Sequence, residues 1–325
     1  MRLRAIGIGT SWGAHAAREL AAGPRTELVG LVARGSERST RLARELGVRL
    51  FADPATALIE VQPHLASVAV HESLNVELVS RLLAANCHVL CSHPVASEGS
   101  SVRQLATAAA ERRLVAATDY TLRLQPAFLM LKEALGRAGN IMRLAIESPA
   151  STSVIAVDLA MALLGGVARV RAFRQYPEEL AARVAQRPRA FAPTFVLEHR
   201  RGGLATINPV THTDPASAFR LVVSTEHARI EAGLPAGNVD WLSYEGHGRV
   251  LRRRLHEGGD PPEPLRVYGD AMRGLTARFV SSCLGETDVH ASFEHEAAVS
   301  DVWNALRRSA HRGVDVAVEV SVPGL

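Results

Sequence analysis

The sequence predicts an α/β chain in two parts: a doubly wound parallel sheet, then an α+β part built on a large, mostly antiparallel open sheet. Three observations carry this. Up to about residue 121, short apolar runs alternate with amphipathic stretches. From residue 122 the texture changes to longer segments of alternating polarity. The 325 residues, 47% hydrophobic and 22% charged, are enough for two packed cores.

In the first part the strand candidates are Leu3–Ile8, Leu28–Ala33, Leu65–Val70, His88–Cys91 and Leu114–Thr118. Between them lie the helical stretches HAARELAA, ERSTRLARELG, NVELVSRLLAANC and SVRQLATAAAERR. Near-continuous apolar strands divided by amphipathic helices fit a parallel sheet covered on both faces. The second part opens with a helix, Pro126–Arg137. It continues through IMRLAIES, ARVRAFRQY, TFVLEHR, LATINPV, AFRLVVST, HARIEAG, VDWLSYEG and RVLRRRL. Glycine, proline and asparagine punctuate these β segments, as in an antiparallel sheet. A loop at EGGDPPEP, helices near Tyr268–Leu284 and Ser292–Ala310, and a last strand, VDVAVEVSV, complete it. The expected domains are 1–121 and 122–325.

Composition narrows the function classes. No apolar run reaches the length of a membrane helix, and MRLRAIGIGT does not read as a signal peptide. Cys87, Cys91 and Cys283 form no CxxC pair, which suggests reduced, apolar thiols in a cytoplasmic protein. The net charge is +4, but the basic residues are scattered. Arg252-Arg253-Arg254 reads as a solvated strand edge, so no nucleic-acid role is expected. The chain has one lysine, Lys132, expected to face solvent.

Gly7-Ile8-Gly9-Thr10-Ser11-Trp12-Gly13 follows the first strand and opens the first helix. Glycines there allow a tight turn and let backbone N–H groups approach a pyrophosphate at a helix N-terminus. The third glycine comes one place later than in G-x-G-x-x-G. The loop therefore signals a dinucleotide site of the Rossmann type because it sits between a strand and a helix. An NAD-specific site puts an acid at the end of the second strand to grip the ribose 2′-OH. Here that end reads Val32-Ala33-Arg34-Gly35-Ser36-Glu37-Arg38-Ser39. Arg34, Ser36 and Arg38 suit a 2′-phosphate, so the expected cofactor is NADP(H). His71 and Pro94 complete the expected cofactor contacts.

These features resemble the Gfo/Idh/MocA oxidoreductases along essentially the whole chain, ending in an ALRRSAHRGVDVAVE-type segment. That resemblance implies a catalytic lysine in a Glu-Lys-Pro motif after the fifth strand and a D-x-x-x-H helix for sugar and cyclitol substrates. This chain has Cys91-Ser92-His93-Pro94 at the first place, and Ser151 and Ile155 at the Asp and His places of the second. Asp158 fits a further aspartate of the pattern. Within the family the chain is similar to the thiazolinyl imine reductases of siderophore assembly. The matching features are the G-T-x-aromatic-G loop, Ala33-Arg34-Gly35-Ser36-Glu37-Arg38-Ser39, His93-Pro94 and a tyrosine in Thr118-Asp119-Tyr120.

This resemblance implies that hydride from NADPH reduces a cyclic C=N bond, thiazoline to thiazolidine, while a neighbouring group protonates nitrogen. Tyr120 is the first candidate acid and His93 the second, each with a structural alternative: an interdomain packing residue and a turn former. It also implies a substrate tethered to a peptidyl carrier protein of a nonribosomal peptide synthetase, whose usual acidity the basic balance would complement. A homodimer is expected by the same likeness. Asp119 reads as a turn cap and Glu294-His295-Glu296 as a charged helix surface. His199, His212 and His227 are cleft candidates that no spacing selects. Two other classes stay open: a sugar or cyclitol dehydrogenase with atypical catalytic residues, and an inactive NADP(H)-binding sensor or scaffold.

Overall fold

The computed structural model describes residues 2–173, 193–210, 218–245, 249–258 and 264–318. Residues 174–176 of the expected ARVRAFRQY segment, His212, residues 259–263 of the EGGDPPEP stretch and residues 319–322 of the expected last strand lie outside the described residues.

The first part of the chain runs β1 (Leu3–Ile8), α1 (Gly13–Ala22), β2 (Thr26–Val32), α2 (Glu37–Leu46), β3 (Arg49–Phe51), α3 (Pro54–Val61) and β4 (Leu65–Val68). It continues with α4 (Glu72–Ala84), β5 (His88–Cys91), α5 (Gly99–Glu111) and β6 (Ala116–Thr118). The strands form one parallel sheet in the order β3-β2-β1-β4-β5-β6. The order reverses between β1 and β4, and there the crevice of a doubly wound sheet opens at the carboxyl ends of the strands. Strand β3 and helix α3 are absent from the expected elements. Three residues are too few for a periodic signal, and α3 is eight residues long with one fully buried side chain, Ala57, and Leu58 and Val61 half-buried beside it.

The second part starts with a short 3₁₀ turn (Thr121–Leu124) and α6 (Pro126–Leu135). Then come β7 (Ile141–Pro149), α7 (Ser153–Leu164), β8 (Val167–Phe173), β9 (Thr194–His199) and β10 (Leu204–Val210). Next are β11 (Phe219–Thr225), β12 (Arg229–Leu234), β13 (Val239–Glu245) and β14 (Arg249–His256). Helices α8 (Pro264–Cys283) and α9 (Phe293–Arg312) and a short β15 (Val316–Ala317) follow. The sheet order is β14-β13-β12-β11-β7-β10-β9-β8-β15, antiparallel except where β10 pairs β7. Along β7, Leu144, Ile146 and Ser148 point into the core, and Arg143 and Glu147 point out. This is the period-2 alternation of a sheet with one covered face. Arg252–Arg254 lie on β14 at the sheet's edge, where Arg252 and Arg254 both pair with Asp240.

The chain divides into two compact units, Met1–Thr121 with Gly269–Ser300, and Leu122–Tyr268 with Asp301–Leu325. Residues 269–300 thus join the first unit, although sequence order places them with the second. Packing gives the reason. Phe293 and Ala297 are fully buried in the core of the parallel sheet, with Val89, Cys91 and Val95. Thr118 N donates to Ala291 O at 2.8 Å, and Arg25 pairs with Glu286. Cys87 and Cys91 are buried free thiols, which burial pushes up from the usual range; Cys283 is half-buried. Among the described residues no helix is long and apolar enough to cross a membrane.

Candidate functional site

The carboxyl ends of β1, β2 and β4 border a cavity of about 650 Å³, lined among others by Gly9, Thr10, Ser11, Arg34, Ser36 and His71. Gly9 has φ +92°, and a Cβ there would stand 2.1 Å from Ala69 O, so only glycine fits. A Cβ on Gly13, the first residue of α1, would meet Ala69 Cβ at 3.1 Å. No side chain caps α1. Backbone that approaches this closely beside an uncapped helix start suits a pyrophosphate, so the residues present fit a dinucleotide cofactor.

Of the other expected cofactor residues, Gly7, Trp12, Gly13, Arg38 and Pro94 do not line this cavity. Gly7 lies inside the sheet, where a Cβ would stand 2.8 Å from Leu31 Cδ2. Arg38 is exposed in the first turn of α2. Ser36 caps α2, its Oγ accepting from Ser39 N at 3.3 Å, and His71 caps α4 by accepting from Ser73 N. Trp12 turns its indole toward Asp119 and donates to Oδ2 at 2.7 Å.

His93 and Tyr120 do meet. The His93–Pro94 peptide is cis, and Asn75 Nδ2 donates to Pro94 O at 3.1 Å. Tyr120 Oη lies 2.9 Å from His93 Nδ1. Both converge on Glu296, which is fully buried. His93 Nδ1 lies 3.0 Å from Glu296 Oε1 and Oε2, Val95 N donates to Oε1 at 3.1 Å, and the Tyr120 hydroxyl donates to Oε2. Reading Glu294-His295-Glu296 as a charged surface is thus corrected: Glu294 is exposed, but Glu296 and His295 are buried. The legible signal was helical spacing. Phe293, Glu296, Ala297 and Ser300 fall at i, i+3, i+4 and i+7, which puts Glu296 on an apolar face.

Asp119 is more than a turn cap. Besides Trp12, its Oδ1 accepts from His93 N at 2.9 Å. Burial pushes this carboxyl up to about 7, and the neighbouring Glu296 pushes the same way. The N–H groups of His93 and Trp12 favour its charged form.

The remaining candidates lie elsewhere. Lys132 is exposed on α6. His199 is buried in the second unit with Nδ1 2.8 Å from Gly165 O, and burial lowers its pKa. His227 sits in the turn between β11 and β12. Ser151 is exposed and Ile155 half-buried. Asp158 is buried and pairs with Arg123, whose Nε stands 2.9 Å from Oδ2.

A carboxylate that accepts from Nδ1–H fixes a histidine's tautomer and leaves Nε2 as the basic nitrogen. The cluster can therefore take up or release a proton beside a dinucleotide cavity.

Comparison with known proteins agrees with this architecture. No curated protein matches the chain. An oxidoreductase from Agrobacterium radiobacter, solved with NAD+, L-tartaric acid and magnesium, superposes with a TM-score of 0.83 at 13% identity, covering 98% of this chain and 99% of its own. A UDP-N-acetylglucosamine 3-dehydrogenase from Acidithiobacillus ferrooxidans gives 0.77 at 19% identity, over 95% and 98% of the two chains. A myo-inositol dehydrogenase from Corynebacterium glutamicum gives 0.77 at 18%, over 99% and 100%. At such identities these likenesses establish the fold. Residues 1–120 match the Gfo/Idh/MocA family, described as an oxidoreductase family with an NAD-binding Rossmann fold.

Proposed function

We propose that the chain is an NAD(P)(H)-dependent dehydrogenase that interconverts a hydroxyl and a carbonyl group on a polyhydroxylated substrate of the sugar or cyclitol class. The observation that carries it is the convergence of His93, Tyr120 and Val95 N on the buried carboxylate of Glu296, beside a cavity that fits a dinucleotide. The nicotinamide cofactor, when bound, supplies or accepts the hydride. As an alcohol loses hydride, its hydroxyl proton needs a base. His93 is that base in this reading, through Nε2, and Glu296 stabilises the imidazolium that forms. Tyr120 completes the relay by sharing its proton with Glu296. Arg34 and Ser36, which line the cavity, would receive a 2′-phosphate, so NADP(H) is the preferred form. The dehydrogenase structures of similar fold support this substrate class.

One observation favours a second reading, reduction of a thiazoline C=N bond on a peptidyl carrier protein. The chain's single lysine is exposed, and Ser151 and Ile155 stand where the resemblance places the polyol-binding Asp and His. In that case the same cluster delivers the proton to nitrogen. The test follows absorbance at the nicotinamide wavelength with NADP+ and a panel of cyclitols and sugars, and separately with NADPH and a thiazoline thioester mimic. Polyol turnover supports the first reading, thiazoline turnover replaces it with the second, and cofactor binding with neither would leave a sensor or scaffold. A homodimer, measured by light scattering, belongs to both enzymatic readings.

A further inference from the structure

We propose that Asp119 is a positioning residue: its carboxylate joins the cofactor loop to the proton-carrying cluster, and its charge state sets how firmly that loop is held for the cofactor. The inference rests on reading the 650 Å³ cavity as the cofactor site.

Trp12 lies between Ser11, which lines that cavity, and Gly13, which opens α1. Its Nε1–H can only donate, and it donates to Asp119 Oδ2 at 2.7 Å. The other oxygen, Oδ1, takes the backbone N–H of His93 at 2.9 Å, the residue whose ring meets Glu296 and Tyr120. The two elements so bridged are far apart in sequence, and Asp119 takes one donor from each. An ionised carboxylate offers acceptor sites on both sides. A protonated one carries an O–H that faces a donor, so one of the two bonds must weaken.

The surroundings make that change accessible near neutrality. Burial raises the Asp119 carboxyl to about 7, opposed by its two N–H donors and by His93, and reinforced by Glu296. The titratable groups facing it are His93 and Cys91 from β5 and the turn after it, and Glu296 from α9. Tyr120 is its chain neighbour, and His15 of α1 packs on the Trp12 ring at 5.4 Å. Ionised Asp119 holds the loop; protonated Asp119 releases Trp12 or the His93 amide.

The experiment uses the full chain labelled with 15N-tryptophan, the Trp12 indole resonance being assigned by its loss in Trp12→Phe. In the wild type this resonance should move with pH, with a midpoint near 7, and in Asp119→Asn it should stay fixed. The dissociation constant for NADPH, read by calorimetry at pH 8, should rise at least about tenfold in Asp119→Asn and in Trp12→Phe. The double variant should bind no more weakly than either single one, because both remove the same link. An indole signal that ignores pH between 5.5 and 8.5, or strictly additive losses, overturns the inference and leaves the proposed function standing. A wild type that binds neither NADPH nor NADH overturns both, and the indole titration then still tells whether Asp119 holds Trp12.

Discussion

Glu296 is the residue on which the candidate chemistry turns. A fully buried carboxylate is costly unless donors surround it, and this one has three: an amide, a hydroxyl and an imidazole. Replacing it by glutamine halves the acceptor capacity and points an NH2 group at a donor, so His93 loses the partner that fixes its tautomer. Glu296→Gln should lower kcat by about 10²- to 10⁴-fold, in the range of lost general acid–base catalysis, while the NADPH dissociation constant changes less than threefold. Steady-state kinetics beside calorimetry would check the split; an equal loss in both would reduce Glu296 to a structural role. Asp119 makes a different prediction, about stability. Its folded pKa of about 7 lies above the ordinary 3.8 of an aspartate in the unfolded chain. The native state therefore binds the extra proton, and the contribution to stability is full at low pH and lost as pH rises through 7. Asp119→Asn should accordingly compare better with the wild type at pH 8.5 than at pH 5.5, by on the order of 1–3 kcal/mol. Urea melts at the two pH values would show it, and a constant difference would refute the shift.

At the scale of elements, the proposed function places cofactor preference at the junction of β2 and α2. Arg34 is exposed and lines the dinucleotide cavity, and Ser36 caps α2 beside it. Arg34→Ala should weaken NADPH binding by about tenfold and leave NADH unchanged, which is roughly 1.4 kcal/mol of 2′-phosphate recognition. Equal effects on the two cofactors would argue against a phosphate contact. The place of this junction was readable in the sequence because its signals are local: the end of an apolar run, then the polar start of a helical stretch. The same holds for β1, β5 and β10, whose bounds match the segments read from polarity alone. What escaped depends on distance. Nothing within Glu294-His295-Glu296 says that β5 and the turn after it lie against this helix, since 203 residues separate His93 from Glu296. Asp119 looked like a turn cap because Trp12, its donor, comes 107 residues earlier. Chemistry made by long-range contacts leaves only a faint trace in sequence, here an apolar stripe with one carboxylate in it.

For the molecule as a whole, the split of α8 and α9 between the two units is the feature with most consequence. The chain leaves the parallel sheet after β6 and returns to it at Gly269–Ser300 before ending in the second unit. Phe293 and Ala297 complete the core beneath β5, Ser292 bridges Ala117 beside β6, and Glu296 supplies the acceptor for Val95 N. A fragment ending at Thr121 would contain all six parallel strands and a glycine loop, yet would expose the apolar surface that Phe293 covers. Residues 1–121 alone should therefore bind a hydrophobic dye and unfold without a sharp transition, whereas the full chain should melt cooperatively. The full-length Phe293→Ala variant should lose about 3–5 kcal/mol, the usual cost of emptying a buried aromatic site. A fragment that melts cooperatively and binds NADPH as tightly as the full chain would show that the returning helices merely decorate the sheet. A fragment regaining both properties when a separate peptide of residues 269–312 is added would show that these helices complete the fold from outside the first 121 residues.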